Sequence, residues 1–71
     1  MNLTKYDVFF KVLETKTISQ AAKEIGYSQS AVSQTIKALE EELETTLFIR
    51  QKSGVSLSHD GLAYLPYLKS V

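Results

Sequence analysis

Four side chains within a run of six, Gln29, Ser30, Ser33 and Gln34, carry hydroxyls and amides that both donate and accept hydrogen bonds. Their chemistry is recognition rather than proton transfer. Groups of this kind suit the major-groove edges of base pairs, which present patterned donors and acceptors. Further along, Lys37, Arg50 and Lys52 supply the positive charge that meets phosphate, and Ser53 adds a hydroxyl beside them. An ordinary solvated helix face would carry Glu, Lys and Arg, yet no charged residue occurs from Ser28 to Ile36. That exclusion favours a contact surface over a merely wet one.

Other groupings look reactive and fail on inspection. Glu40, Glu41, Glu42 and Glu44 form an acidic block, but paired catalytic carboxylates need a cleft that perturbs their titration. A run at the end of an exposed helix reads as solvated, keeping that end of the domain away from phosphates. Ser58, His59 and Asp60 are the residue types of a hydrolytic triad, but adjacent positions on a helix do not face one another. With no cysteine and a single histidine, thiol chemistry is excluded and a metal site lacks ligands. The expectation is a protein without metal or cofactor, and not an enzyme.

The elements that must position these residues follow from periodicity. Leu3, Tyr6, Phe9, Phe10 and Leu13 recur at helical spacing, which predicts a helix from Leu3 to Glu14 with Asn2 as its N-cap. A second helix opens at Thr17, in a capping box with Gln20, and buries Ile18, Ala21, Ala22 and Ile25 before Gly26 ends it. A third opens at Ser28 and runs to about Leu43, with Val32, Ile36, Leu39 and Leu43 in one stripe. Only Gly26 and Tyr27 separate the two, so both stripes turn onto one core in a helix-turn-helix. Ser30, Ser33, Gln34, Lys37 and Glu41 fall on the opposite side of the third helix, with Gln29 at its N-terminal edge.

Beyond Thr45 the composition becomes β-branched. Thr46 to Arg50 and Val55 to Leu57 read as a short hairpin, with Gln51, Lys52, Ser53 and Gly54 as its polar loop. Ser58 caps a fourth helix, Asp60 suits its first turn, and Pro66 is expected to bend it. Leu62, Leu65 and Leu68 line one side in excess of what so small a core covers, which assigns them to dimerisation. Tyr6, Phe9, Phe10 and Phe48 read as core, and Tyr64 and Tyr67 as candidates for a partner surface. The order is that of a mainly α, winged helix-turn-helix: a three-helix core, a short hairpin wing and the start of a linker helix. Residues 1–57 form the winged domain and 58–71 the beginning of the linker.

Bulk properties agree. Seventy-one residues make one small domain, and 44% hydrophobic with 23% charged residues is the balance of a folded chain. No apolar run is long enough to span a membrane and no signal segment opens the chain, so a cytoplasmic location is expected. Net charge is zero, but residues 1–39 carry +2, 40–45 carry −4 and 46–71 carry +2. One acidic block cancels a mildly basic remainder.

At SQSAVSQTIKALEEEL (Ser28 to Leu43) followed by LFIR, the sequence resembles the amino-terminal domain of LysR-type transcriptional regulators. The opening NLTKYDVFFKVLETKT, the ISQAAKEIGYSQSAVSQ segment and VSLSHDGLAYLPYL extend the likeness over essentially the whole chain. The resemblance implies a bacterial regulator that binds promoter DNA as a dimer or tetramer. It also implies a small-molecule-sensing carboxy-terminal domain that these residues do not include, and a linker helix longer than the part ending at Val71. Gln29 and Ser33 match family positions that touch bases. Ser30 stands where proline is usual, Gln34 where arginine is common and Glu44 where glycine is usual. Lys37, Arg50, Lys52 and Ser53 are the implied backbone contacts.

The expected function is sequence-specific binding of double-stranded DNA, with helix three in the major groove and helix four pairing protomers. The rival is a protein-interaction or dimerisation module that does not bind DNA on its own. Such a module needs a large exposed apolar patch, which the outward face of helix three does not supply and helix four can.

Overall fold

The first helix is set by its cap. The computed structural model describes residues 3–70, so Asn2 lies outside the described residues, and the cap it was expected to provide is made by Thr4. Thr4 Oγ1 accepts the Asp7 N–H at 3.2 Å and the Asp7 carboxylate accepts the Thr4 N–H at 2.9 Å, a reciprocal capping box. Helix α1 accordingly spans Lys5–Thr15, two residues later than apolar spacing alone predicts, and leaves Leu3 exposed. Lys16 ends it in the left-handed conformation, at φ 64°.

Helix α2 (Ile18–Ile25) is capped as expected by Thr17, which accepts the Gln20 N–H. The expected reciprocal bond is not the one Gln20 makes. Its amide donates instead to Glu24 at 3.0 Å, because a full helical turn brings that carboxylate within reach. Gly26 closes the helix at φ 87°, where glycine alone is unstrained, and Gly26 and Tyr27 both donate to the Ala22 carbonyl. Ser28 then caps α3 (Gln29–Leu43), and Glu44 ends it left-handed at φ 53°.

Strands β1 (Phe48–Gln51) and β2 (Gly54–Leu57) pair antiparallel, Phe48 with Leu57 and Gln51 with Gly54. Gln51 and Gly54, expected in the loop, are the last pair of the ladder, so the turn is only Lys52 and Ser53. One corner of the wing is fixed to the junction between α1 and α2. Val55 N–H donates to the Lys16 carbonyl at 2.8 Å, and Gly54, at φ 136°, lies so near that a Cβ there would sit 2.5 Å from the same oxygen. The hairpin docks because Gly54 has no side chain.

Helix α4 (His59–Lys69) starts at Ser58, whose hydroxyl donates to the Thr46 carbonyl and accepts the Gly61 N–H. The helix continues through Pro66 to Lys69. Helices α1, α2 and α3 pack pairwise around Phe9, Val12, Ala22, Val32, Ile36 and Leu39, with Leu47 and Phe48 sealing the core from the wing side. Two alanines on the inner face of α2 let its neighbours approach closely. Each buried large side chain contributes about 1.5–3 kcal/mol by leaving water, and Phe9 adds ring contacts to Phe10 and Phe48, both at 5.1 Å. Tyr6 and Phe10 are partly buried against this core.

Leu68 is the departure. It is 4% exposed and belongs to the core, whereas Leu62 is 61% and Tyr67 71% exposed. Leu65 and Tyr64 are half-buried against the core. The three leucines recur at spacings of three, so they drift around the helix and do not share one environment.

Candidate nucleic-acid interface

The capping hydroxyl of Ser28 accepts the Ala31 N–H at 3.1 Å, which starts α3 cleanly and turns its first residues outward. Gln29, Ser30, Gln34 and Lys37 are exposed and Ser33 is half-buried. An open groove of about 420 Å³ runs between this helix and the wing, bordered by Gln29, Arg50, Gln51, Lys52, Ser53 and, from the start of α2, Thr17, Ile18 and Ser19. A second depression of about 360 Å³ is bordered by Ser33, Gln34, Lys37, Glu40 and Arg50. Seven of the eight expected contact residues therefore surround two adjoining hollows, with Arg50 common to both. Ser30 borders neither. The Ser19 and Gln51 side chains join this surface although periodicity and charge alone did not single them out. Their signal was position: each adjoins a helix cap or a wing turn already placed beside the site.

Among the described residues, two of the lysines are held in ion pairs. Lys5 pairs with Glu42, and Lys11 pairs with Glu14 at 2.9 Å and Glu24 at 3.4 Å. The Glu42 hydrogen bond raises the Lys5 ammonium above its ordinary range, and the bonds to Glu14 and Glu24 do the same for Lys11. Glu24 is held below the ordinary carboxylate range, first by the Gln20 amide and then by Lys11. Lys37, Arg50 and Lys52 take part in no ion pair among the described residues. Lys16, Lys23 and Lys69 are likewise outside any ion pair among the described residues, so it is position that distinguishes Lys37, Arg50 and Lys52: they border the two hollows, where their charge can attract an external anion.

The acidic block is not uniformly solvated, contrary to expectation. Glu40 Oε2 accepts the backbone N–H of Leu47 at 2.7 Å and of Phe48 at 3.1 Å, and Glu42 holds Lys5. Glu40 follows Ile36 by four residues, which puts it on the flank of the buried stripe, where a carboxylate reaches the chain leaving α3. Arg50 Nη1 in turn donates to Ser33 Oγ at 2.7 Å, tying the wing to α3.

A family model described as "Bacterial regulatory helix-turn-helix protein, lysR family" matches residues 3–62. The chain belongs to the LysR family. Across all 71 residues it is 45% identical to the HTH-type transcriptional regulator CzcR of Bacillus subtilis, of which it spans 25%. It thus covers about a quarter of the length of the curated relatives it matches. Its backbone is similar to the CbnR DNA-binding domain in complex with DNA, at a TM-score of 0.86 and 28% identity over 99% of this chain and 80% of that one. The BenM DNA-binding domain in complex with catB site 1 DNA gives 0.84 and 28% over 99% and 79%. The winged helix-turn-helix of this LysR family member is therefore the fold of LysR-type DNA-binding domains, in a family of regulators rather than enzymes. Among the described residues no helix is long and apolar enough to cross a membrane.

Proposed function

We propose that this domain binds double-stranded promoter DNA sequence-specifically, with α3 in the major groove and the wing over the adjoining backbone. The observation that carries the reading is the groove shared by Gln29, on the first turn of α3, and Arg50, Lys52 and Ser53 of the wing. Base-reading amides and phosphate-seeking charges face one concave surface, and two similar domains were solved on DNA. Gln29, Ser30, Ser33 and Gln34 contact base edges; Lys37, Arg50, Lys52 and Ser53 contact the sugar-phosphate backbone.

Few cations serve this surface, so one copy holds DNA weakly and two half-sites on a homodimer strengthen binding. The pairing surface is α4, through exposed Leu62 and Tyr67 with half-buried Leu65, while Leu68 supports it from within the core. A small-molecule inducer would act through a carboxy-terminal domain outside this sequence. Binding-site selection from random duplex DNA with the purified chain is the test. Enrichment of a palindrome supports the reading, and recovery of unenriched sequence at low salt overturns it.

A further inference from the structure

The Arg50–Ser33 hydrogen bond bears on what the site reads. A guanidinium only donates, so the contact fixes Ser33 Oγ as its acceptor at 2.7 Å. A helical serine or threonine commonly spends its own proton on the carbonyl four residues back, as Thr35 does on Ala31 at 2.8 Å. Ser33 makes no such bond among the described residues. Its proton is uncommitted, and its side chain borders the hollow shared with Gln34 and Lys37.

We propose that Arg50 is a positioning residue for base readout: it makes the Ser33 hydroxyl a donor toward DNA, so that Ser33 selects a major-groove acceptor. The candidates are N7 or O6 of a purine and O4 of thymine. A base amino group arriving at the same oxygen would meet the positive guanidinium, whereas an acceptor is favoured by it. A serine free of Arg50 could turn either way and would discriminate poorly. The remaining guanidinium N–H groups stay available for a phosphate, so charge and orientation are separable roles of one side chain. The inference rests on the DNA-binding reading above.

The experiment is a double-mutant cycle on the duplex enriched from the random library, with a scrambled duplex as reference. Ser33→Ala is expected to lower the specific-to-scrambled affinity ratio roughly two- to tenfold, the range of one net hydrogen bond. Arg50→Ala is expected to lower that ratio similarly, and the double variant no further than either alone. Both side chains reach the surface, and matching circular dichroism of the variants checks that the fold is intact. Atom deletion on the DNA reads the direction: 7-deazapurines and a thymine analogue lacking O4 remove acceptors, and unsubstituted purine in place of adenine removes an amino donor. One acceptor deletion is expected to cost the wild type what Ser33→Ala costs, and to cost the Ser33→Ala protein nothing more. Independent, multiplying losses in the cycle would overturn the coupling, and coupling to an amino-group deletion would overturn the direction. If the wild type itself shows no preference between duplexes, the DNA-reading function fails first and this inference with it.

Discussion

Glu40 and Leu47 are joined side chain to backbone across the end of α3, the carboxylate accepting the Leu47 N–H at 2.7 Å and the Phe48 N–H at 3.1 Å. Leu47 is fully buried and Phe48 nearly so, so these two amides enter the core with the Glu40 carboxylate as their acceptor. The recognition helix thereby sets where the wing begins. Glu40→Ala is expected to cost about 1–3 kcal/mol, the penalty for leaving partly buried donors without a partner. In a domain of this size that lowers the melting temperature by several degrees, about 4–8 °C for each kcal/mol. Glu40→Gln keeps an acceptor oxygen and should melt between Ala and wild type. Equal melting of Ala and wild type would show that the clamp adds nothing.

Gly61 gives a prediction whose sign opposes helix propensity. It sits buried in the first turn of α4, and a Cβ there would overlap the Leu47 carbonyl oxygen, which also accepts the Ser58 N–H at 2.8 Å. Alanine gains about 1 kcal/mol over glycine in a helix interior. Overpacking against backbone costs about 1–3 kcal/mol, so Gly61→Ala should be net destabilising in urea unfolding. A stabilised variant would mean that α4 can move off Leu47 freely.

Glu44 is the converse. It ends α3 at φ 53° with its side chain exposed, a conformation that L-residues enter at a cost and glycine does not. Glu44→Gly should raise stability by up to about 1 kcal/mol, the relieved strain being partly offset by the freer unfolded chain. Thermal melts decide it. A lower melting temperature would show that the two-methylene stem or charge of Glu44 contributes more than its strain removes.

The helical core and its caps were legible because the physics is local. Thr17, Ser28 and Ser58 cap where they stand in the chain, and Val32, Ile36 and Leu39 announce one buried stripe. Misreadings came mainly from contacts between distant segments, with one local cap as the exception. Thr4 displaces the expected N-terminal boundary through Asp7, which apolar spacing does not register. Glu40 looked solvated because its acceptor role depends on where Leu47 lies after the chain turns. Leu68 looked like a spare surface leucine because nothing along α4 reveals how much of the core it fills. At the site, the residue types of α3 and the wing were readable, but their sharing of two hollows and the Arg50–Ser33 bond are products of hairpin docking at Gly54.

The separation of reading from holding gives the sharpest test of the interface. Gln29 stands on the first turn of α3, where an amide meets base edges and carries sequence information. Lys52 forms half of the wing turn, and a cation there meets phosphate on any sequence and releases counterions. Gln29→Ala should therefore cost about 1–3 kcal/mol on the preferred duplex and much less on a scrambled one, with the salt dependence little changed. Lys52→Ala should weaken both duplexes alike and flatten the slope of log affinity against log salt by about one. Titrations of both variants at several salt concentrations measure the two effects independently. Should Gln29→Ala weaken both duplexes equally, α3 does not read bases from its first turn. Should Lys52→Ala instead alter sequence preference, the wing reads as well as holds, and the division of labour assigned to the two borders of the groove is wrong.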